Sequence, residues 1–307
     1  MEKGAASESA MRGDGIRESA APADALRIRN LSHRYGRRVA LDAVNLAVPA
    51  GRVCGLLGRN GAGKTTLLNI VSTAMRPQTG EVLVFGRRAS ERPGVLSRMC
   101  LVREYGMFPS GARLSDLLYG CSRAFPAWDR AYARRAVEMF ELDTKKSYKQ
   151  LSRGMESSLG LVIGLASRAE LTMFDEPSLG LDAAMRERFY DELHREARSS
   201  GRTMLVSTHL IDEVSRVFQD VAILDRGRVS QHRELQALLD GYLQLTGSRA
   251  DVEQAARGHR VIHMEALDDG RTRFVAEWDG SPAPGGVEAE RPSLQRLFVY
   301  LTEEEGA

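Results

Sequence analysis

Residues 56–66 read LLGRNGAGKTT, in which two leucines are followed by glycines, a lysine and two threonines. The mostly apolar segment GRVCGLL (51–57) predicts a strand in a sheet that is buried on both faces. Residues 63–74 predict a helix. Between them, residues 58–65 match G-x-x-x-x-G-K-[ST], the phosphate-binding loop, in the strand–loop–helix context that this motif requires.

The residue types of this loop suit a nucleotide polyphosphate. Glycines allow positive φ, so successive backbone N–H groups point into one concavity, and the helix N-terminus adds its dipole. The Lys64 ammonium can reach the β- and γ-phosphates, the Thr65 hydroxyl suits Mg²⁺, and Thr66 is placed to assist at the α-phosphate. The predicted phosphate-binding residues are Gly58, Arg59, Asn60, Gly61, Ala62, Gly63, Lys64, Thr65 and Thr66.

A second acidic site follows the apolar segment LTMFD (171–175). The segment predicts a buried strand whose end places Asp175 at the carboxyl edge of the sheet, where α/β proteins bind ligands. Asp175 can hold Mg²⁺ through water. The next residue, Glu176, can orient or deprotonate an attacking water.

Composition narrows the function classes. The 307 residues carry a formal charge of only +2, so charge alone implies no nucleic-acid partner. Cys54, Cys100 and Cys121 are far apart and form no CxxC pair, which argues against a zinc site or a disulfide framework and fits a reducing cytosol. No apolar run approaches the roughly 18 residues that span a bilayer. Residues 1–24 are small and polar, and we expect a disordered tail without a signal peptide.

Strands alternate with helices along most of the chain, which predicts an α/β fold with a parallel core sheet. LRIRNLSHRY (26–35) and VALDAVNLAV (39–48) alternate apolar and polar residues and predict an added antiparallel β subdomain. A helical subdomain is expected at about 105–168 within a first domain at 25–240. Residues 241–307 predict a small C-terminal α/β accessory domain.

These motifs resemble the ATP-binding subunits of the ABC transporter family, over roughly residues 26–240. LSRGM (151–155) stands where the family usually has L-S-G-G-Q. The resemblance implies that Ser152 and Gly154 contact the γ-phosphate of an ATP held by a second copy. Arg153 and Met155 depart from the family pattern.

Further positions follow from the same resemblance. SLGLD (178–182) is similar to the D-loop, with Asp182 near the dimer partner. His209 in VSTHLIDEV resembles the switch histidine that senses the γ-phosphate, and Tyr35 resembles the aromatic residue that stacks on adenine. The Q-loop position is ambiguous: counting from Val102 gives Glu104, which we favour as a catalytic and Mg²⁺-binding residue, and counting back from Pro109 gives Arg103.

The resemblance implies an ATPase that forms a head-to-tail homodimer around two MgATP and drives a separately encoded membrane permease. Export is favoured over import, and the expected location is the cytoplasm, on the inner face of the cell membrane through the permease. The competing class is an ABC ATPase that works on ribosomes or DNA, for which a second cassette, coiled coils or a zinc insertion would be expected. A weaker alternative is a regulatory or immunity ATPase without transport.

The C-terminal segment SLQRLFVYLT (293–302) is similar to a helix that often ends such subunits. Leu294, Leu297, Phe298 and Leu301 fall on one apolar stripe, and we interpret the stripe as ordinary packing within the C-terminal domain.

Overall fold

The computed structural model describes residues 24–91, 93–103, 106–282 and 285–303. The predicted tail at 1–24 lies outside the described residues except for Asp24, which begins the first strand. In chain order the strands are β1 (Asp24–Tyr35), β2 (Arg38–Pro49), β3 (Val53–Leu57), β4 (Thr79–Val84), β5 (Arg87–Arg88), β6 (Met99–Val102), β7 (Leu171–Asp175), β8 (Thr203–Thr208), β9 (Asp220–Asp225), β10 (Arg228–Glu234), β11 (Tyr242–Gly247), β12 (Val261–Ala266), β13 (Thr272–Glu277) and β14 (Glu288–Glu290). The α-helices are α1 (Lys64–Val71), α2 (Pro93–Leu96), α3 (Leu114–Ala124), α4 (Arg130–Met139), α5 (Arg153–Ala166), α6 (Ala183–Ser199), α7 (Ile211–Val214), α8 (Leu235–Asp240), α9 (Arg249–Ala255) and α10 (Leu294–Thr302).

A six-stranded sheet with the order β10-β9-β3-β8-β7-β6 forms the centre of the protein. From β9 to β6 the neighbouring strands are parallel, and β10 is antiparallel at one edge. Every residue of β3, β7 and β8 is buried, as expected for apolar strands covered on both faces. The predicted parallel core sheet is confirmed. Because parallel strands end at the same edge, the segments that follow β3, β7 and β8 come together there.

Two apolar clusters cover the faces of this sheet. One joins Leu56 of β3 to Leu67 of α1 and to Leu26 of β1. The other joins Leu57 of β3 to Leu161 of α5 and to helices α4 and α6. Neighbouring residues of β3 therefore serve opposite clusters, which is the two-residue period of a strand.

A second sheet, with the order β2-β1-β4-β5, is antiparallel and corresponds to the predicted β subdomain. The β1–β2 hairpin closes with Tyr35 opposite Arg38, and Gly36 in the turn has φ +58°. Helix α1 ends at Val71, short of the predicted residue 74, because Thr73 takes a left-handed φ of +64°.

Helices α3, α4 and α5 lie between β6 and β7, in the region predicted to be helical. Ser152 caps α5, accepting a hydrogen bond from the Met155 backbone N–H. Gly160 and Gly164 face Val102 and Phe174 so closely that an added Cβ would lie within 2.7 Å of them. Small residues on this face of α5 thus let the helix approach the sheet.

The third sheet has the order β12-β13-β11-β14, and α9 packs on it. Helix α10 packs against β12 and also against α7. Leu297 and Phe298 share one apolar cluster with Ile211 and Val214 of α7. The prediction that the α10 stripe packs within the C-terminal domain is therefore wrong, because the stripe also covers Ile211 and Val214, which lie before residue 241.

Candidate active site

The loop at 58–63 is shaped by positions that have no room for a side chain. A Cβ on Gly58 would lie 2.5 Å from the Leu224 carbonyl oxygen. Gly63 has φ +110°, and a Cβ there would lie 2.5 Å from the Ala40 carbonyl oxygen. The loop is therefore wedged between β9 and β2, and its glycines are a steric requirement of the fold.

Lys64 is the first residue of α1, and its side chain is buried although it is charged. Its Nζ donates a hydrogen bond to the Gly58 carbonyl oxygen at 2.6 Å and lies 3.2 Å from Glu176 Oε1. A buried ammonium needs such partners. The contacts place the charge at the centre of the loop, where a phosphate would be bound.

A cleft of about 260 Å³ opens above the loop. Most of its lining was predicted from sequence: Tyr35, Arg59, Asn60, Gly61, Ala62, Gly63, Lys64, Thr65, Thr66 and Glu176. Arg38 and Ala40 also line the cleft and were missed, since β2 carries no motif. Their signal was their position, one and three residues past the turn at 36–37 that follows Tyr35.

Asp175 and Glu176 lie at the end of β7, beside Ser207 of β8. Asp175 is buried and accepts a hydrogen bond of 2.6 Å from the Ser207 hydroxyl. The Glu176 backbone N–H is within 3.1 Å of both Ser207 oxygens, and Glu176 has φ +49°, which is uncommon for a residue with a side chain. Ser207 thus orients the Asp175 carboxylate and holds the Glu176 backbone, a role that was not predicted from the sequence.

The Glu176 carboxylate lies between two groups that were predicted to bind the γ-phosphate. Oε1 faces Lys64, and Oε2 lies 2.8 Å from His209 Nδ1 and 3.3 Å from the His209 backbone nitrogen. Half of the His209 side chain is accessible, whereas Glu176 is largely buried. The structure therefore brings Lys64, Glu176 and His209 into one contiguous site.

Tyr35 stands at the mouth of the cleft with 49% of its surface exposed. Its hydroxyl lies 3.5 Å from Thr66 Oγ1 and 3.3 Å from Met75 Sδ. His33 packs edge-on against the ring, with a centroid distance of 5.0 Å. The ring is thus held in place and still offers a free face, which is what stacking on a base requires.

The residues at 151–155 and 178–182 pack together but do not line the cleft in the described structure. A Cβ on Gly154 would lie 2.5 Å from the Gly180 carbonyl oxygen, and the Ser157 hydroxyl donates a 2.6 Å hydrogen bond to the Leu179 carbonyl. Asp182 caps α6, accepting from the Met185 N–H at 2.8 Å. Ser152, Gly154 and Asp182 therefore stand apart from the Lys64 site.

Tyr148 links α5 to the segment after β6. Its hydroxyl donates to Glu156 Oε2 at 2.8 Å and accepts a 3.4 Å bond from the Met107 N–H. Burial and the Glu156 carboxylate raise the pKa of Tyr148 to about 12, so this donor stays protonated at neutral pH. Glu104, the favoured Q-loop residue, lies outside the described residues, and Arg103 is half-buried beside Met107.

Thr65 and Asp175 supply a hydroxyl and a carboxylate, the hard oxygen donors that Mg²⁺ prefers. One Asp175 oxygen is engaged by Ser207, which orients the carboxylate and leaves the second oxygen for a ligand or a water. The residues present thus fit the predicted cation.

Comparisons with known proteins bear on the family of this chain. The family model for ABC transporters matches residues 41–179. The chain is 32% identical to the daunorubicin resistance ATP-binding protein DrrA3 of Streptomyces coeruleorubidus, over 91% of this chain and 96% of that protein. It is 33% identical to the methionine import ATP-binding protein MetN 1 of Paraburkholderia xenovorans, over 71% of this chain and 67% of that protein.

The fold is also found among solved structures. An ATP-binding cassette solved as a dimer in a post-hydrolysis state with ADP and Pi has a TM-score of 0.58 and 23% identity, over 68% of this chain and 98% of that one. The family match includes the phosphate-binding loop and both carboxylates, and the alignment with DrrA3 extends over most of the chain. The chain therefore belongs to the ABC transporter family, as an ATP-binding subunit with ATPase activity.

Proposed function

We propose that the cleft binds MgATP and that Glu176 hydrolyses it, within a head-to-tail dimer that drives a separate membrane permease. The observation that carries the proposal is the buried contact between Lys64 and Glu176 at the floor of the phosphate-binding loop. Phosphate chemistry accounts for a buried ammonium beside a carboxylate whose residue has an uncommon positive φ, at the carboxyl edge of a parallel sheet.

Binding uses the groups that line the cleft. Backbone N–H groups of residues 59–64 would surround the phosphates, and Lys64 would neutralise the β- and γ-phosphates. Tyr35 would stack on adenine and Thr66 would contact the α-phosphate. When bound, Mg²⁺ supplies positive charge to the phosphate oxygens, and Thr65 with Asp175 would hold it.

Hydrolysis needs a water in line with the γ-phosphate. Glu176 would accept a proton from that water as its oxygen attacks phosphorus and the bond to the β-phosphate oxygen breaks. His209, which contacts Glu176 at 2.8 Å, would orient the carboxylate and interact with the γ-phosphate.

A second copy would complete the site. Ser152, Gly154 and Asp182 stand apart from the cleft of their own chain, so ATP would reach them only across a dimer interface. Size exclusion of Glu176→Gln with and without MgATP tests this, and a shift to the dimer is expected with MgATP only. If the protein instead binds and hydrolyses ATP as a monomer at every concentration, the dimer proposal is lost.

The permease and the direction of transport are proposed from the relatives. No described helix is both long and apolar enough to cross a membrane. DrrA3, whose alignment covers more of this chain than that of MetN 1, is named for drug resistance, which favours export. The location would be the cytoplasmic face of the membrane.

Membrane fractionation tests this part of the proposal. The protein should sediment with membranes only when a polytopic partner is co-expressed, and its ATPase rate should then rise. Transport by inside-out and right-side-out vesicles would decide the direction, because an exporter loads inside-out vesicles in the presence of ATP. Equal sedimentation with and without the partner would count against a permease.

We also propose the domain limits and the position of the Q-loop. We assign residues 25–240 to the cassette, with a helical subdomain at about 105–168, and 241–307 to an accessory domain. We assign the Q-loop to Glu104 as a second oxygen donor near Mg²⁺. In the reconstituted complex, Glu104→Ala should reduce coupled ATPase activity more than Arg103→Ala, and the reverse ranking would move the assignment to Arg103.

A further inference from the structure

We propose that Arg38 is a nucleotide-binding residue, whose guanidinium contacts the phosphate chain of the nucleotide in the cleft. The inference rests on the proposed function, because it needs the nucleotide to occupy the phosphate-binding loop. Arg38 lies outside every motif that was identified in the sequence.

The β1–β2 hairpin positions Arg38. Tyr35 is the last residue of β1, Arg38 is the first residue of β2, and the two are directly opposite each other across Gly36 and Arg37. Opposed residues of an antiparallel pair project from the same face, so the ring and the guanidinium emerge side by side. Both line the cleft, whereas the intervening Arg37 does not.

The guanidinium reaches over the phosphate-binding loop itself. Arg38 Nη2 would lie 3.0 Å from a Cβ built on Gly61, at the outer bend of the loop. Gly61 has φ +83° and presents only backbone here. Ala40, two residues further along β2 on the same face, is small and buried, which leaves the cleft open beneath the arginine.

The net positive charge of the residues that line the cleft favours an anionic ligand. Three cationic residues line it, Arg38, Arg59 and Lys64, against one carboxylate, Glu176, which already contacts Lys64. Among the described residues, neither Arg38 nor Arg59 has a carboxylate within ion-pair distance. The positive surplus complements a nucleotide polyphosphate.

Other arginines near the β-sheets, unlike Arg38, form ion pairs with carboxylates. Arg27 pairs with Asp24, Arg52 Nε lies 2.6 Å from Asp220, and Arg228 lies 2.6 Å from Asp42. The last two pairs join segments that are distant in sequence, and the first is local to β1. Arg38 has no such partner in the described structure, so its loss should leave folding unchanged and affect only the ligand. Its planar, permanently charged fork suits two phosphate oxygens at once.

The experiment compares Arg38→Ala with Arg37→Ala, which removes the same charge one residue away and outside the cleft. Binding of fluorescent MANT-ADP and of a non-hydrolysable ATP analogue is measured at several salt concentrations. Arg38→Ala should raise Kd about 10- to 100-fold, the loss expected for a charge-assisted hydrogen bond, and should flatten the salt dependence. Arg37→Ala should change Kd less than about twofold, since exposed charges are screened.

Two further measurements isolate the phosphate contact. Arg38→Lys keeps the charge but not the fork, so its Kd should lie between those of the wild type and Arg38→Ala. Guanine and adenine nucleotides should lose affinity by the same factor, because the contact is to phosphate. Thermal unfolding of each variant without nucleotide should match the wild type.

The outcomes separate this inference from the proposed function. Equal increases in Kd for Arg38→Ala and Arg37→Ala would overturn the contact. Such a result would mean that both arginines act only through long-range electrostatic attraction. A loss of adenine nucleotides alone would also overturn it, since the arginine would then serve the base. If Lys64→Ala binds nucleotide as tightly as the wild type, the phosphate-binding site itself fails.

Discussion

Replacing Glu176 by glutamine should do two things at once: stop hydrolysis and tighten the binding of ATP. The first effect follows from the loss of the base, because an amide cannot accept the proton of the attacking water. The second follows from geometry. The Glu176 carboxylate lies 3.2 Å from Lys64 Nζ and 2.8 Å from His209 Nδ1. It therefore competes with the γ-phosphate of ATP for the same two groups.

The size of the second effect comes from the Lys64–Glu176 distance. Two unit charges 3.2 Å apart attract by about 5 kcal/mol at an effective dielectric constant of about 20. Hydration of the separated groups offsets most of that, and a net of about 1.5 kcal/mol is typical of a hydrogen bond to a charged group. Glutamine keeps the shape and loses this attraction, so the Kd for ATP should fall about tenfold. Hydrolysis should fall about 10²- to 10⁴-fold.

The assay must separate affinity from dimer formation, since a dimer closing over ATP also lowers the apparent Kd. Calorimetric or fluorescence titrations at several protein concentrations achieve this, and the monomer value is the one that does not change with dilution. ADP serves as an internal control. Without a γ-phosphate the carboxylate is displaced less, so the gain for ADP should be smaller than for ATP.

Two results would refute the reasoning. A variant that releases phosphate at the wild-type rate would remove Glu176 as the base and leave His209 as the next candidate. A variant with wild-type ATP affinity would show that the contact with Lys64 does not oppose binding. Glu187→Gln, which removes an exposed carboxylate on α6 that lines no part of the cleft, should change neither quantity.

Three further predictions test other parts of the site and fold. Lys64→Ala should weaken ATP binding about 10- to 100-fold in titrations, because the phosphates lose their buried cation, and unchanged binding would contradict the loop assignment. Gly154→Ala should lower the hydrolysis rate at least about tenfold while monomer binding stays intact, since its Cβ would lie 2.5 Å from the Gly180 carbonyl oxygen and displace one segment; wild-type turnover would show that the contact relaxes freely. Leu297→Ala should lower the free energy of unfolding by about 2–5 kcal/mol in urea titrations, since Leu297 is fully buried, and the half-buried Leu301→Ala should cost less.

The parts that were predictable from sequence are those that depend on local chemistry. The phosphate-binding loop needs glycines between a buried strand and a helix, so its pattern is readable without any partner segment. Asp175 was predictable because an apolar strand that ends in a carboxylate can only present it at the sheet edge. Both lie where they were predicted to lie.

The contributions that were missed depend on contacts between distant segments. Arg38 reaches the cleft because the β1–β2 hairpin folds over the loop, and its own neighbours in sequence give no hint of this. Ser207 acts through the pairing of β8 with β7, which no periodicity specifies. The packing of α10 on α7 likewise joins residues that are about 85 positions apart. An apolar stripe indicates that a helix face is covered, but it does not identify the covering segment.

Contacts of the same kind explain the residues of LSRGM (151–155), the segment that departs from the family pattern. Gly154 faces the Gly180 carbonyl oxygen at a distance that excludes a side chain, so glycine is required there for packing alone. Arg153 is the first residue of α5 and is exposed, and its Cβ lies beside Gly180, whose own lack of a side chain leaves space for it. Met155 is partly buried against the apolar cluster of α5. The two departures from the family pattern therefore fall on positions that the fold of this chain accommodates, while the glycine that it cannot replace is retained.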